Sequence, residues 1–128
     1  MQDQLLEGLR VLVASDHADF VGMFAAMVGL WGGLTWPARS ATEAVTALEK
    51  RPHVVLLDAA LPDDCLVVPA TAASLDVPVV AFGFRTAEPR QLPAKLRAFN
   101  VHLLRSTDLR EVCAALRDAV RRRALGGT

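Results

Sequence analysis

Residues 53–64 read HVVLLDAALPDD: an aliphatic run, then an acid at Asp58, then a small-residue loop carrying Pro62. An apolar run without polar alternation is the pattern of a strand buried on both faces of a sheet. A carboxylate at its end is out of keeping, because burying an ionised acid is costly unless something pairs with it or neutralises it. Asp58 therefore either lies just past the rim of the sheet or has a chemical role.

The neighbouring stretches repeat the theme. RVLVAS (residues 10–15) is a short β-branched strand, and DHADF (16–20) opens a helix. Along that helix Phe20, Met23, Phe24, Met27, Val28 and Trp31 recur every three or four residues, a core-facing stripe stopped by Gly32 and Gly33. LTWPA (34–38) is a brief strand, and Pro37, which cannot donate to a ladder, assigns it to a sheet edge. SATEAVTALEK (40–50) starts with a capping box, Ser40 and Glu43, and turns Ala41, Ala44, Val45 and Leu48 to one side. CLVVPATAASL (65–75) is the least regular segment, and Pro69 is expected to break or shorten any helix there.

VPVVAFG (77–83) is another buried strand, and EPRQLPAKLRAF (88–99) a short helix with Leu92, Leu96 and Phe99 inward. NVHLLR (100–105) is a fifth strand, followed by a long helix over 106–125 with Leu109, Val112, Cys113, Leu116 and Val120 inside. Five strand–helix units in alternation predict a single α/β domain over residues 1–128. Its expected form is a flavodoxin-like, doubly wound, five-stranded parallel sheet of order 2-1-3-4-5 with helices on both faces.

Composition narrows the class. A chain of 128 residues that is 52% hydrophobic and 22% charged is the size of one domain and too apolar for disorder. Lys plus Arg and Asp plus Glu number 14 each, so no global charge draws it to nucleic acid or to a membrane surface. The basic run Arg121–Arg123 reads as cations that complement a helix C-terminus. Cys65 and Cys113 lack C-x-x-C spacing and read as small hydrophobes of a reducing cytoplasm. No apolar run reaches the length of a membrane span, and MQDQLLEGLR is too polar for a signal peptide, so a soluble, cytoplasmic protein is expected.

In sheets of this order, ligands bind beyond the carboxyl ends of the strands, in the crevice between strands one and three. The first strand ends at Ser15-Asp16-His17 and the third at Asp58, so two carboxylates converge on that crevice. The fourth strand ends at Gly83 and the fifth at Arg105-Ser106. A carboxylate pair suits a hard cation such as Mg²⁺, which keeps several waters and shares itself with a phosphate. A carboxylate can also attack phosphorus to form an aspartyl-phosphate. His17 and His53 read as element-start residues, with no third metal ligand near them in sequence.

Along its whole length the chain resembles the receiver domain of bacterial two-component response regulators. VLVASDHADF is similar to that family's first strand and acidic pocket, especially in regulators reading V-D-D-H-P-x-F. VVLLDAALPDD is similar to its phosphoacceptor strand and loop, with the proline four residues after the acid. The resemblance implies Asp58 as phosphoacceptor, Asp16 as a metal-binding acid and the backbone carbonyl of Ala60 as a third ligand. It also implies Mg²⁺ and a sensor histidine kinase or phosphotransfer protein as phosphoryl source.

Matched positions depart from the family pattern. Ser15 stands where the first acid of the pair usually is, which weakens metal binding, although a hydroxyl can still hold a metal-bound water. Gly83 replaces the Thr or Ser whose hydroxyl bonds the phosphoryl group. Arg105 replaces Lys, and Ser106 the proline that commonly follows. His102 occupies the position of the switching aromatic. The departures leave acceptor chemistry in reduced form and predict a weak or absent conformational switch, with Mg²⁺ bound weakly or lost.

Two function classes follow: a phosphoryl-accepting signalling domain, and a pseudo-receiver that keeps the fold as a protein-interaction module. Enzymes of other kinds fit poorly. ASDHADF is no flavodoxin phosphate loop, Ala60 stands where a haloacid-dehalogenase phosphatase needs a second acid, and no G-x-S-x-G elbow surrounds Ser15. The sequence ends about where the last helix should, as a stand-alone regulator or a receiver cut from a longer chain. Output is expected through a downstream protein, or through a homodimer on the face from Pro89 to Ala124, with no direct contact to nucleic acid or membrane.

Overall fold

The computed structural model describes residues 6–59, 61, 66–82, 99, 101–104 and 108–126. Five strands form one parallel sheet: β1 (Arg10–Ala14), β2 (Leu34–Ala38), β3 (Val54–Asp58), β4 (Val79–Phe82) and β5 (His102–Leu103). Their order is β2-β1-β3-β4-β5, the one expected from the sequence. Four described helices accompany them: α1 (Ala18–Leu30), α2 (Ala41–Leu48), α3 (Val67–Ser74) and α4 (Leu109–Gly126). The expected helix over 88–99 lies outside the described residues apart from Phe99, which packs against the core.

The continuous apolar strands are explained by two cores, one on each face. Leu12, Ala14, Val55, Leu57, Val79 and Ala81 point to the core shared with α2 and α3. Val11, Val13, Val54, Leu56, Val80 and Phe82 alternate to the opposite face, against α1 and α4. Side chains change face at every residue along a strand, so a strand covered on both sides has no position left for polar alternation.

Pro37 is accommodated on the free edge. The Leu34 N–H donates to the Leu9 carbonyl at 2.9 Å, and the Ala38 carbonyl accepts from the Ser15 N–H at 3.0 Å. Residues of that parity face β1, so Thr35 and Pro37 turn their backbone groups outward, where the missing N–H breaks no ladder bond.

Helix ends follow their sequence signals with local revisions. Helix α1 closes in a Schellman motif: the Gly32 N–H donates to the Gly29 carbonyl at 3.2 Å and the Gly33 N–H to the Val28 carbonyl at 2.8 Å, with Gly32 at φ 91°. Of its stripe, Phe24, Met27 and Val28 are buried, whereas Met23 is exposed. At α2, Ser40 Oγ accepts from the Glu43 N–H at 3.1 Å, while Glu43 Oε1 accepts from the Arg39 N–H at 2.7 Å, one residue earlier than in a reciprocal box. Pro69 does not break α3. It occupies the third helical position, where its absent N–H is one of those a helix leaves unpaired, and the Ala70 N–H next along bonds to Leu66 O at 3.1 Å.

Cys113 sits fully buried on α4 among the core side chains. Burial pushes its thiol up to about 11, with the Arg117 charge acting in the opposite direction, as expected of a thiol that behaves as a small hydrophobe. Cys65 lies outside the described residues. No helix among those described is long and apolar enough to cross a membrane.

Candidate functional site

Strands β1 and β3 are direct neighbours with Ala14 paired to Leu57, so the residues that follow them meet at one rim. Asp58 is the last residue of β3 and only 1% exposed. Ser15, the residue after β1, is fully buried beside it. Ser15 and Asp58 are the buried polar and charged side chains among the described residues, and they are bonded to each other: Ser15 Oγ donates to Asp58 Oδ2 at 2.7 Å. A hydrogen bond to an ionised acceptor is worth roughly 1.5–3 kcal/mol, which offsets part of the desolvation of the carboxylate.

The same hydroxyl has a second contact, accepting from the His17 backbone N–H at 3.1 Å. Ser15 thereby ties the start of α1 to the end of β3. The hydroxyl expected to hold a metal-bound water donates to Asp58 and accepts from the His17 N–H in this structure. A neutral donor stands in place of a second acid, and it braces the carboxylate where an acid would repel it.

Asp16 and His17 project outward from the turn into α1, with side chains 40% and 59% exposed. Asp16 Oδ1 lies 3.8 Å from His17 Nε2. Asp16, His17 and Asp58 each offer one donor atom, all within 4.8 Å of one another. The structure therefore brings Asp16 and Asp58 together as expected. It also adds His17, read from sequence only as a helix-start residue. The signal that could have found it was adjacency: an imidazole directly after Asp16 at the first bend cannot leave the rim that Asp16 occupies.

An aromatic wall supports this rim from beneath. The His17 ring meets Phe20 edge-on at 5.4 Å, Phe20 meets Phe82 at 5.9 Å, and Phe82 meets Phe24 at 5.2 Å. Phe82 is paired with Asp58 in the β3–β4 register, and its carbonyl accepts from the Ala59 N–H at 2.7 Å.

The remaining expected positions divide into two groups. Ala60, Gly83 and Arg105 lie outside the described residues, as does Ser106. His102 is described: it pairs with Val80, is half-buried, and lines a cleft of about 640 Å³ with Val77, Val79, Phe99 and Arg122. That cleft opens at the amino ends of β4 and β5, opposite the rim that carries Asp58.

No family model matches the chain, and no curated protein matches it in sequence. Its likeness is to solved folds. A CheY-like response regulator receiver domain from Methanospirillum hungatei superposes with a TM-score of 0.81 at 13% identity, covering 92% of this chain and 98% of that one. The N-terminal domain of a response regulator/sensory box/GGDEF three-domain protein from Carboxydothermus hydrogenoformans gives 0.79 at 16% identity, over 93% and 99%. The signal receiver domain of an HD domain-containing protein from Pseudomonas fluorescens gives 0.79 at 20%, over 91% and 97%. The chain has the fold of response-regulator receiver domains, with a serine–aspartate pair buried at the rim where β1 and β3 end.

Proposed function

We infer that the chain is a receiver-type signalling domain that accepts a phosphoryl group on Asp58, uses a divalent cation, and acts through protein contacts. The observation that carries this is the placement of Asp58, a buried carboxylate at the carboxyl end of β3 with Asp16 and His17 donor atoms within 4.8 Å. A carboxylate needed only to end a strand would lie in water.

Each residue has a share of the work. Ser15 holds Asp58 Oδ2 at 2.7 Å and so orients the carboxylate. An oxygen of that carboxylate would form the new bond to phosphorus, as the donor's bond to phosphorus breaks and its leaving group departs with the electron pair. Asp16 and Asp58 are carboxylates of the kind Mg²⁺ takes, and the site fits such an ion with one acid fewer than the family pattern. When bound, the ion would neutralise charge between the carboxylate and the phosphoryl oxygens. The phosphoryl source would be a sensor histidine kinase or a phosphotransfer protein, and the receiver-bearing regulators among its structural neighbours support such partners.

A second reading, the pseudo-receiver, is favoured by the engagement of Ser15: a neutral side chain already satisfies Asp58 where the family has an acid. Incubation with a small-molecule phosphodonor and Mg²⁺, followed by intact-mass measurement, decides between them. A single phosphoryl adduct, absent from Asp58→Asn, is the expected result. No adduct at millimolar metal would leave the interaction module as the function.

A further inference from the structure

We propose that His17 is a nitrogen ligand of the rim cation, so that the site prefers an imidazole-binding transition-metal dication such as Zn²⁺ to Mg²⁺. This rests on the cation site proposed above and adds a third donor to it.

His17 occupies the N-cap position of α1, yet its side chain makes no capping hydrogen bond. The ring is not spent on closing the helix. It stands instead with its Nε2 atom 3.8 Å from Asp16 Oδ1, too long for a hydrogen bond, in a set of three donors that includes the buried Asp58. Two features hold it there. Phe20 packs edge-on against the ring at 5.4 Å, and the His17 N–H bonds to the Ser15 hydroxyl that also holds Asp58. One serine thus fixes the main chain of one donor and the carboxylate of another.

The size of the set suits an ion. Three donors spread evenly around one cation at 2.0–2.2 Å lie about 3.6 Å apart, so a set within 4.8 Å contracts by about an ångström on binding. Asp16 and His17, the exposed members, can make that adjustment while Asp58 stays fixed in the strand. An exposed Asp–His pair alone contributes little. The buried carboxylate of Asp58, the third donor, is what makes this more than a surface contact.

Donor chemistry then sets the preference. Mg²⁺ is a hard ion that takes oxygen ligands and retains its waters. Imidazole suits later first-row dications such as Zn²⁺, whereas Mn²⁺, the weakest binder of that series, shares the oxygen preference of Mg²⁺. With serine in place of an acid the site has one hard oxygen fewer, and with His17 at the rim it has one nitrogen more. Both changes act in the same direction.

Mn²⁺ serves as the paramagnetic probe on the whole chain, with pulsed electron paramagnetic resonance to detect a bound nitrogen, and competition of Zn²⁺ against Mg²⁺ gives the affinity ratio. The expected result is a ¹⁴N coupling to bound Mn²⁺ and a Zn²⁺ preference over Mg²⁺ of about tenfold or more. Both should be lost in His17→Ala and in His17→Gln, exposed-site variants whose circular dichroism checks folding. Asp58-dependent Mn²⁺ binding without nitrogen coupling, or a coupling that survives His17→Ala, overturns the ligand assignment and leaves the phosphoacceptor reading standing. Absence of Asp58-dependent binding by either ion overturns the assignment and the cation site together, and the phosphodonor adduct then judges the acceptor chemistry separately.

Discussion

Ser15 decides how the rim behaves, because its hydroxyl serves the Asp58 carboxylate and the His17 N–H at once. Replacing Ser15 with Ala leaves a buried carboxylate and a helix-start N–H each short of a partner. Chemical denaturation should show a loss of roughly 1–3 kcal/mol for Ser15→Ala. Ser15→Asp poses the opposite question. It sets a second acid against Asp58, and like charges out of water repel. Without metal the variant should be less stable than wild type at neutral pH, and millimolar Mg²⁺ should raise its melting temperature by more than it raises that of wild type. Equal Mg²⁺ responses in the two proteins would mean that a carboxylate at position 15 does not reach the ion. The acids were legible in the sequence, since each ends an apolar strand. The direction of the Ser15 hydroxyl was not, because it depends on the depth to which β1 and β3 bury their last residues.

At the level of elements, the glycines after α1 carried more information than the proline in α3. Gly33 has almost no room: a Cβ there would lie 2.8 Å from Val28 Cγ1 and 3.1 Å from the carbonyl oxygens of Leu6 and Leu9. Two of those three neighbours are backbone, which cannot step aside as a side-chain tip can. Gly33→Ala should therefore destabilise the chain by about 1–3 kcal/mol in equilibrium unfolding, with the strain localised where α1 feeds β2. A neutral effect would show that the turn has slack. Pro69 misled because a proline is read as a helix breaker unless its distance from the helix start is known. That start, at Val67, has no capping side chain to announce it. The strands were readable for the reverse reason: with both faces covered, their apolar runs had no competing interpretation.

Across the whole molecule the two ends of the sheet do different work. At the amino end of β3, His53 Nδ1 accepts the Arg10 N–H at 2.9 Å, and the Arg10 guanidinium lies 5.6 Å from the centre of the Trp36 ring. Only an unprotonated ring can accept that bond. Burial first, and the Arg10 charge second, lower the His53 pKa below its ordinary value of 6.5. As pH falls past 6.5 the unfolded chain takes up this proton before the folded chain does. Stability from His53 is therefore intact above that value and lost as pH falls through the lower folded value. Melting temperatures from about pH 8 to pH 5 should decline more steeply for wild type than for His53→Asn, whose amide oxygen can accept the same bond without titrating. Identical slopes would remove His53 from the account.

At the carboxyl end, Asp58 is the proposed phosphoacceptor, and a phosphoryl mimic reads it most directly. With Mg²⁺ and beryllofluoride, ¹⁹F resonance should show a bound fluoride signal from wild type and none from Asp58→Asn. Amide shifts should be concentrated at Ser15 to His17, Asp58 and Phe82, with little change at His102 across the sheet. No bound signal, or one that persists without the Asp58 carboxylate, would contradict the assignment of that residue as acceptor.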